Sequence, residues 1–310
     1  MIIDAFLMSS ETDLLDLRLN YYKDYFDFFL ILESSFTFSG QTRNLVFPNV
    51  KHKYLKFEDK IIYVPINEFP KFSDSWGIEF YVRDQIRKIS INKFSDEDLI
   101  VISDVDEIIN IEKINLKATK VPTLIKLDTY YHFLNIKASE VINVNLITPL
   151  KFIKSIDIGN RYTYYQFVVQ QIENNGWHLT YMFEGNIDAY QKKIEAFSHQ
   201  ELNLAKYKNK ENINNCLKYA LDIYNRKWVK YKFVNISNEF SANFLKVIRD
   251  LGLLNKWTTK NLNLLNPRYW LNLTSLVMYY RNQFWFYRNS FVKKSKIYPF
   301  YRFVKQLINF

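Results

Sequence analysis

Asp98-Leu99-Ile100-Val101-Ile102-Ser103-Asp104-Val105-Asp106-Glu107-Ile108-Ile109 is the stretch on which the fold turns. Residues 99–102 form an apolar run of strand length and read as a buried strand. The run ends in three carboxylates within four positions, Asp104, Asp106 and Glu107. Acids this close repel one another at the end of a buried strand, and a hard cation between them relieves the repulsion. Two Asp one residue apart, at the mouth of an α/β sheet, suit Mg²⁺ or Mn²⁺ with positions left open for a diphosphate. The competing reading is an acidic, solvated turn.

Working outward, the chain opens on a strand at 2–8 that carries Asp4. Ser10 is placed to cap a helix over 11–25, with Leu14, Leu15, Leu17, Leu19 and Tyr22 on its apolar face. Strands follow at 28–32, closing on Glu33, and at 60–65. A helix over 75–94 then precedes the acidic strand. Strands alternating with helices imply a mostly parallel sheet, in which ligands bind at the carboxyl ends of the strands. This reading gathers Asp4, Glu33 and Asp104 around one crevice. Residues 121–183 differ: 123–127, 130–136, 144–149 and 178–183 read as strands, a mixed second half of the sheet. Helices are expected at 187–196, 214–224 and 242–251.

The composition is that of a packed domain. Of 310 residues 48% are hydrophobic, with only 6 Gly and 7 Pro, so the chain can bury a full core as one large domain or a domain with an appendage. Cys216 is the only cysteine, which excludes an internal disulfide framework and leaves a small buried hydrophobe. The N-terminus enters a strand without a basic flank, so no signal peptide is expected. No run approaches the roughly 18 apolar residues of a spanning helix. Charge is unevenly placed. The last 60 residues hold ten of the 42 basic residues and no acid, so the remaining 32 bases match the 32 acids of residues 1–250. That tail is also rich in aromatics, among them Trp270, Tyr279, Tyr280, Phe284, Trp285 and Phe286. The division expected is therefore an α/β catalytic domain over 1–250 and a helical, basic-aromatic extension over 251–310.

Several segments together resemble glycosyltransferase family 17, the β-1,4-mannosyl-glycoprotein β-1,4-N-acetylglucosaminyltransferase-like enzymes. They are Asp4-Ala5-Phe6 followed by Glu11-Thr12-Asp13-Leu14-Leu15-Asp16-Leu17-Arg18-Leu19, then Phe29-Leu30-Ile31-Leu32-Glu33-Ser34-Ser35-Phe36-Thr37-Phe38-Ser39-Gly40. Arg83-Asp84-Gln85-Ile86, Ser103-Asp104-Val105-Asp106-Glu107-Ile108 and Tyr131-His132-Phe133-Leu134-Asn135 continue in the family's order. Gly176-Trp177-His178-Leu179 and Lys193-Ile194-Glu195-Ala196-Phe197-Ser198-His199-Gln200-Glu201 close the series. The sequence departs from the family's pattern between Phe152 and Tyr165, where a Trp/Gly-containing segment is expected, and from about residue 250 onward.

The resemblance implies a GT-A-type fold, a mixed Rossmann-like sheet flanked by helices. It also implies metal-dependent, inverting transfer of N-acetylglucosamine from UDP-GlcNAc to a glycan acceptor. Asp104 and Asp106 become the Mn²⁺ or Mg²⁺ and diphosphate site, where the metal neutralises charge on the departing UDP. Glu107 either contacts the donor or favours a helix start. Glu33 is placed near the uracil or ribose, against a surface salt bridge, and Asp4 shapes the same pocket. Arg18 offers its planar fork to a phosphate or pairs with Asp13 or Glu11 on its own helix; Arg83 carries the same two readings. His199 is the candidate third metal ligand, neutral imidazole suiting Mn²⁺. Trp177 and His178 are acceptor contacts, Trp177 by stacking, with a core position as the alternative. An inverting transferase needs a base for the acceptor hydroxyl, and the candidates are Asp188, Glu195 and Glu201, with Glu201 preferred.

The tail reads as a membrane-surface anchor, basic groups meeting anionic lipid and aromatics entering the interface. Plain packing on the core ranks next, and no nucleic acid is expected. This places the enzyme in the cytoplasm, peripherally on the inner face of a membrane, acting in cell-surface polysaccharide or glycoconjugate synthesis on an acceptor that can be lipid-linked. The rivals are a non-catalytic glycan-binding protein and a metal-dependent phosphoesterase using the same Asp pair.

Overall fold

The computed structural model describes residues 1–259 apart from 72, 73 and 227. The expected tail of 251–310 therefore lies outside the described residues from 260 onward. Strands β1 (Ile2–Met8), β2 (Phe28–Ser34), β3 (Ile61–Ile66) and β4 (Leu99–Asp104) pair in parallel in the order β3-β2-β1-β4. Helix α1 (Thr12–Tyr22) connects β1 to β2, and α2 (Ser75–Lys93) leads into β4. Ser10 makes no cap; α1 starts without a side-chain cap, and the Glu11 carboxylate instead accepts from the Ser9 N–H.

The mixed half begins where β4 turns at Val105-Asp106 into the short β5 (Glu107–Ile109). Strand β6 (Thr123–Tyr131) runs antiparallel to β7 (Ile136–Pro149), and β7 runs antiparallel to β4, which joins the two halves into one sheet. The strands expected separately at 123–127 and 130–136 are thus one strand whose pairing register shifts between Asp128 and Tyr130, followed by a turn and β7. Further along, β8 (Gln170–Ile172) and β9 (Gly176–Thr180) both pair in parallel with β6. Helix α3 (Ile187–Ala196) begins with Asn186 accepting from the Ala189 N–H. Helix α4 (Lys210–Tyr219) stops before the expected 224, because Ala220 takes a left-handed φ of 50°. Strand β10 (Tyr231–Phe233) extends the sheet beside β7, and α5 (Ala242–Asp250) completes the described fold.

Period-2 alternation explains the layering. Along β1 and β2, Phe6, Met8, Phe29 and Ile31 face a core built with α1 and α5. Ile3, Ala5, Leu7, Leu30 and Leu32 face the other side, covered by Ile78, Val82 and Ile86 of α2. Leu253 and Trp257 are buried in the first core, and the Leu134 N–H donates to the Trp257 carbonyl. The packed body thus runs past the boundary expected at 250.

A third cluster joins β6, β7, β10, α3 and α4, and beside it His132 is buried at a left-handed φ of 70°. Its Nε2 lies 3.2 Å from the Leu221 carbonyl and its Nδ1 2.9 Å from the Tyr190 hydroxyl, and burial pulls its pKa down to about 4. A buried neutral His binds its proton less readily than the unfolded chain does. Its contribution is therefore intact above the unfolded pKa near 6.5 and lost as pH falls toward 4, about 3 kcal/mol in all. Urea midpoints measured from pH 7 to 4 should fall less steeply in His132→Asn than in the parent.

Candidate functional site

The carboxyl end of β4 is pinned from beneath. Asp4 is the third residue of β1, fully buried, and pairs with Arg18 of α1 at 2.6 Å. Every N–H of that guanidinium is used. Nε and Nη2 bind both Asp4 oxygens, at 2.7 and 2.6 Å, and Nη2 also reaches Ser103 Oγ at 2.5 Å. Nη1 donates to the carbonyls of Asp104 at 2.8 Å and Glu107 at 2.9 Å. Asp4 and Arg18, expected to touch the donor, instead hold the backbone of the acidic turn, because both are sealed from solvent inside the sheet-helix layer. Glu33 is corrected in the same way. It ends near the edge of β2 but is fully buried, and its oxygens accept from the N–H groups of Val46 and Phe47 and from the Tyr63 hydroxyl. It fixes the loop after β2 and has no free oxygen for a ribose.

Above this base, Asp104 is met by Arg161 at 2.7 Å and Arg83 at 3.4 Å, and its side chain keeps 33% exposure. Burial pushes its carboxyl up, but the two guanidinium groups outweigh burial and the Asp106 charge and hold it below the ordinary range. Arg83 is itself buried between Asp104, Glu79 and the Gly159 carbonyl, so it supports Asp104 and is not open to a ligand. Glu79 in turn hydrogen-bonds Ser198 Oγ, tying α2 to the segment after α3.

Glu107 folds back on the turn. One oxygen accepts from the Asp104 N–H at 2.8 Å and the other from Arg161 at 2.6 Å. Burial raises its pKa despite Arg161.

Asp106 faces a different set. Its Oδ2 lies 3.3 Å from Lys193 Nζ of α3 and 3.6 Å from His178 Nε2 of β9. Burial opposes ionisation, yet Lys193 and His178 hold the Asp106 carboxyl far below the ordinary range. Burial likewise lowers His178, and Asp106 and Glu107 more than offset it, so its pKa is raised.

Register explains why His178 arrives here. β5 and β9 pair antiparallel with Glu107 opposite His178 and Ile108 opposite Trp177. Directly opposed residues share a face, so His178 joins Glu107 while Trp177 turns away. Gly176 starts β9 because a Cβ there would collide with the Ile108 carbonyl. Trp177 is 3% exposed, stacks on Phe244 with ring centroids 4.2 Å apart, and donates Nε1–H to the Glu239 carbonyl. It offers no face to an acceptor sugar. Trp177→Ala should cost about 3–5 kcal/mol of stability as a core truncation, as measured by urea unfolding.

Asp106, Glu107 and His178 present ligand atoms within 4.8 Å of one another, the metal-capable trio found among the described residues. Two oxygens and an imidazole suit Mn²⁺ or Mg²⁺. His178 Nδ1 is buried without a hydrogen-bond partner, so this ring is not locked by a second contact. The trio fits a divalent cation chiefly through Asp106 and His178, since both Glu107 oxygens are engaged. His199, the expected ligand, is instead turned to Glu201 at 2.6 Å and packs its ring edge-on to Trp76.

Beside this cluster opens a cavity of about 760 Å³. Its floor is the carboxyl ends of β1 and β2, Leu7, Met8, Leu32 and Ser34; its walls are the loop with Phe36, Phe38 and Arg43 and the face of α3. Lys193 lines the cavity and joins it to Asp106. Two of the candidate bases, Asp188 and Glu195, also line it; Asp188 lies 3.8 Å from Lys210 and Glu195 2.8 Å from Lys208. Glu201 does not line it. The residues missed from the sequence are Arg161, Lys193 and Glu79. Only the Glu79–Arg83 pair, four apart on one helix, left a readable signal.

The sequence model of glycosyltransferase family 17 matches residues 1–249. Among curated proteins, the human β-1,4-mannosyl-glycoprotein 4-β-N-acetylglucosaminyltransferase is 31% identical over 116 residues, covering 34% of this chain and 21% of that protein. The proteins of the same name from Rattus norvegicus and Mus musculus are 31% and 30% identical over the same length, with the same coverage. The matched segment thus spans about a fifth of the length of these relatives.

Proposed function

The chain belongs to glycosyltransferase family 17, and on that footing we propose that it is an inverting, metal-dependent glycosyltransferase of GT-A type. It would move N-acetylglucosamine from UDP-GlcNAc to a glycan acceptor. The observation that carries the reading is the junction of the 760 Å³ cavity with Asp106 at the carboxyl ends of parallel strands. A cavity of this size at that edge suits a nucleotide, and the names of the curated relatives support the sugar. Residues 260–310 would bring the enzyme to an anionic membrane face on the cytoplasmic side.

Asp106 and His178 would hold the divalent cation, with Glu107 keeping the turn closed over them. When bound, the cation supplies positive charge to the departing diphosphate. Arg18 and Asp4 keep the turn's carbonyls fixed, so that Asp106 is presented in one geometry. In the displacement, the acceptor oxygen bonds to the anomeric carbon as the bond to the β-phosphate oxygen breaks, and UDP leaves with the electron pair. A base takes the acceptor proton on the side opposite UDP. The candidates for this base are Asp188 and Glu195, which line the cavity, and Glu201, which pairs with His199 outside its lining. A phosphoesterase needing a second metal at Asp104 is disfavoured, because two guanidinium groups already occupy that carboxylate.

Calorimetric titration of UDP-GlcNAc into the full chain should give binding with Mn²⁺ that EDTA abolishes. A folded chain that binds neither UDP nor UDP-GlcNAc would overturn the reading.

A further inference from the structure

Lys193 lines the cavity and carries its ammonium onto the acidic turn. It projects from α3, half-buried against the rings of Tyr181 and Phe183, whose centroids lie 5.2 and 5.7 Å from its ammonium. The ammonium rests 3.3 Å from Asp106 Oδ2, and His178 Nε2 lies 3.6 Å from the same oxygen. A divalent cation held by Asp106 and His178 would therefore compete with the ammonium for one carboxylate oxygen. Two cations a few ångströms apart in a partly buried site repel by several kcal/mol, so they do not share it. The lysine stem is flexible and turns without moving the helix. The space beside it is the cavity, where Glu11 is the nearest other anion, at 3.9 Å.

Resting on the glycosyltransferase reading, we propose that Lys193 is an exchangeable counter-ion. In the unloaded enzyme it neutralises Asp106. When the cation takes Asp106, Lys193 turns into the cavity and donates hydrogen bonds to the diphosphate of the nucleotide donor. There it stabilises the charge that collects on the β-phosphate oxygen as the glycosidic bond breaks, the electron pair leaving with UDP and the acceptor's proton going to the base. The cation–π contacts with Tyr181 and Phe183 keep the stem near this path in either position. Arg161 and Arg83 do not exchange, because they bind Asp104 and have further partners in Glu107, Glu79 and Gly159.

The exchange makes two predictions of opposite sign for one substitution, which a static ion pair does not. Titrating Mn²⁺ alone into full-length Lys193→Met should show metal binding about three- to tenfold tighter than in the parent, since the competing ammonium is gone. Titrating UDP at saturating Mn²⁺ should show binding at least tenfold weaker, the loss of a charge-assisted hydrogen bond. Lys193→Arg, which keeps the charge and should keep the fold, should restore most of the UDP affinity. Metal affinity unchanged or weakened in Lys193→Met, or UDP affinity unchanged in a folded variant, would overturn the exchange and leave Lys193 a structural partner of Asp106. If the parent itself binds no UDP, the glycosyltransferase reading fails along with the proposal. If the parent binds UDP and both variants match it, only the proposal fails.

Discussion

Asp106→Asn is expected to lower sugar transfer by about a thousandfold or more, with the protein still folding cooperatively. The amide keeps the shape of the side chain and loses the charge. A cation bound there supplies several kcal/mol to the transition state, and each 1.36 kcal/mol is tenfold in rate. Asp106 is the carboxylate of the turn with both a metal-capable neighbour, His178, and a path to the cavity through Lys193. Some stability should be lost as well, because Lys193 and His178 favour the ionised Asp106 in the folded state. That share is present above the unfolded Asp pKa and fades as pH falls through the lower folded one. Mn²⁺ titration separates the two effects. A purely structural Asp106 would leave metal affinity unchanged in the folded variant; the expected result is that it is lost.

Arg18→Met is expected to destabilise strongly, by about 3–5 kcal/mol, since it strands the buried Asp4 charge and two backbone carbonyls. The double variant Asp4→Leu/Arg18→Met removes both charges together. Replacing a buried pair by apolar groups of similar size is often close to neutral, so urea unfolding should recover to within about 2 kcal/mol of the parent. Donor binding should not recover. The carbonyls of Asp104 and Glu107 would still lack their donor, and the turn that presents Asp106 would lose its anchor. Stability and UDP affinity returning together would show that the pair serves the fold alone.

The parallel half of the sheet was legible because β1, β2 and β4 are buried on both faces and read as continuous apolar runs. The strand at 2–8 and the helix at 187–196 appear with the bounds that the pattern gave. The antiparallel half was harder. The shift of register between Asp128 and Tyr130 blurs alternation, so one strand read as two. At the site, the acidic turn was readable, but its counter-ions were not. Arg18 meets Asp4 across a helix-sheet packing that no local spacing encodes, and Arg161 reaches Asp104 from the segment where the family's pattern lapses. Trp177 and His178 could have been separated from sequence alone. Neighbours on a strand face opposite sides, so both could not touch one acceptor, and the aromatic was the better choice for the core.

The most direct test of transfer itself is to incubate the full chain with isotopically labelled UDP-GlcNAc and a panel of oligosaccharide and lipid-linked acceptors, with Mn²⁺ or EDTA. The product would be read by mass spectrometry and by NMR at the anomeric carbon. The expected result is label on an acceptor in β linkage, one UDP released for each sugar moved, and no product in EDTA or with Asp106→Asn. An α-linked product, or free N-acetylglucosamine as the sole product from a chain that binds UDP-GlcNAc and Mn²⁺, would contradict it.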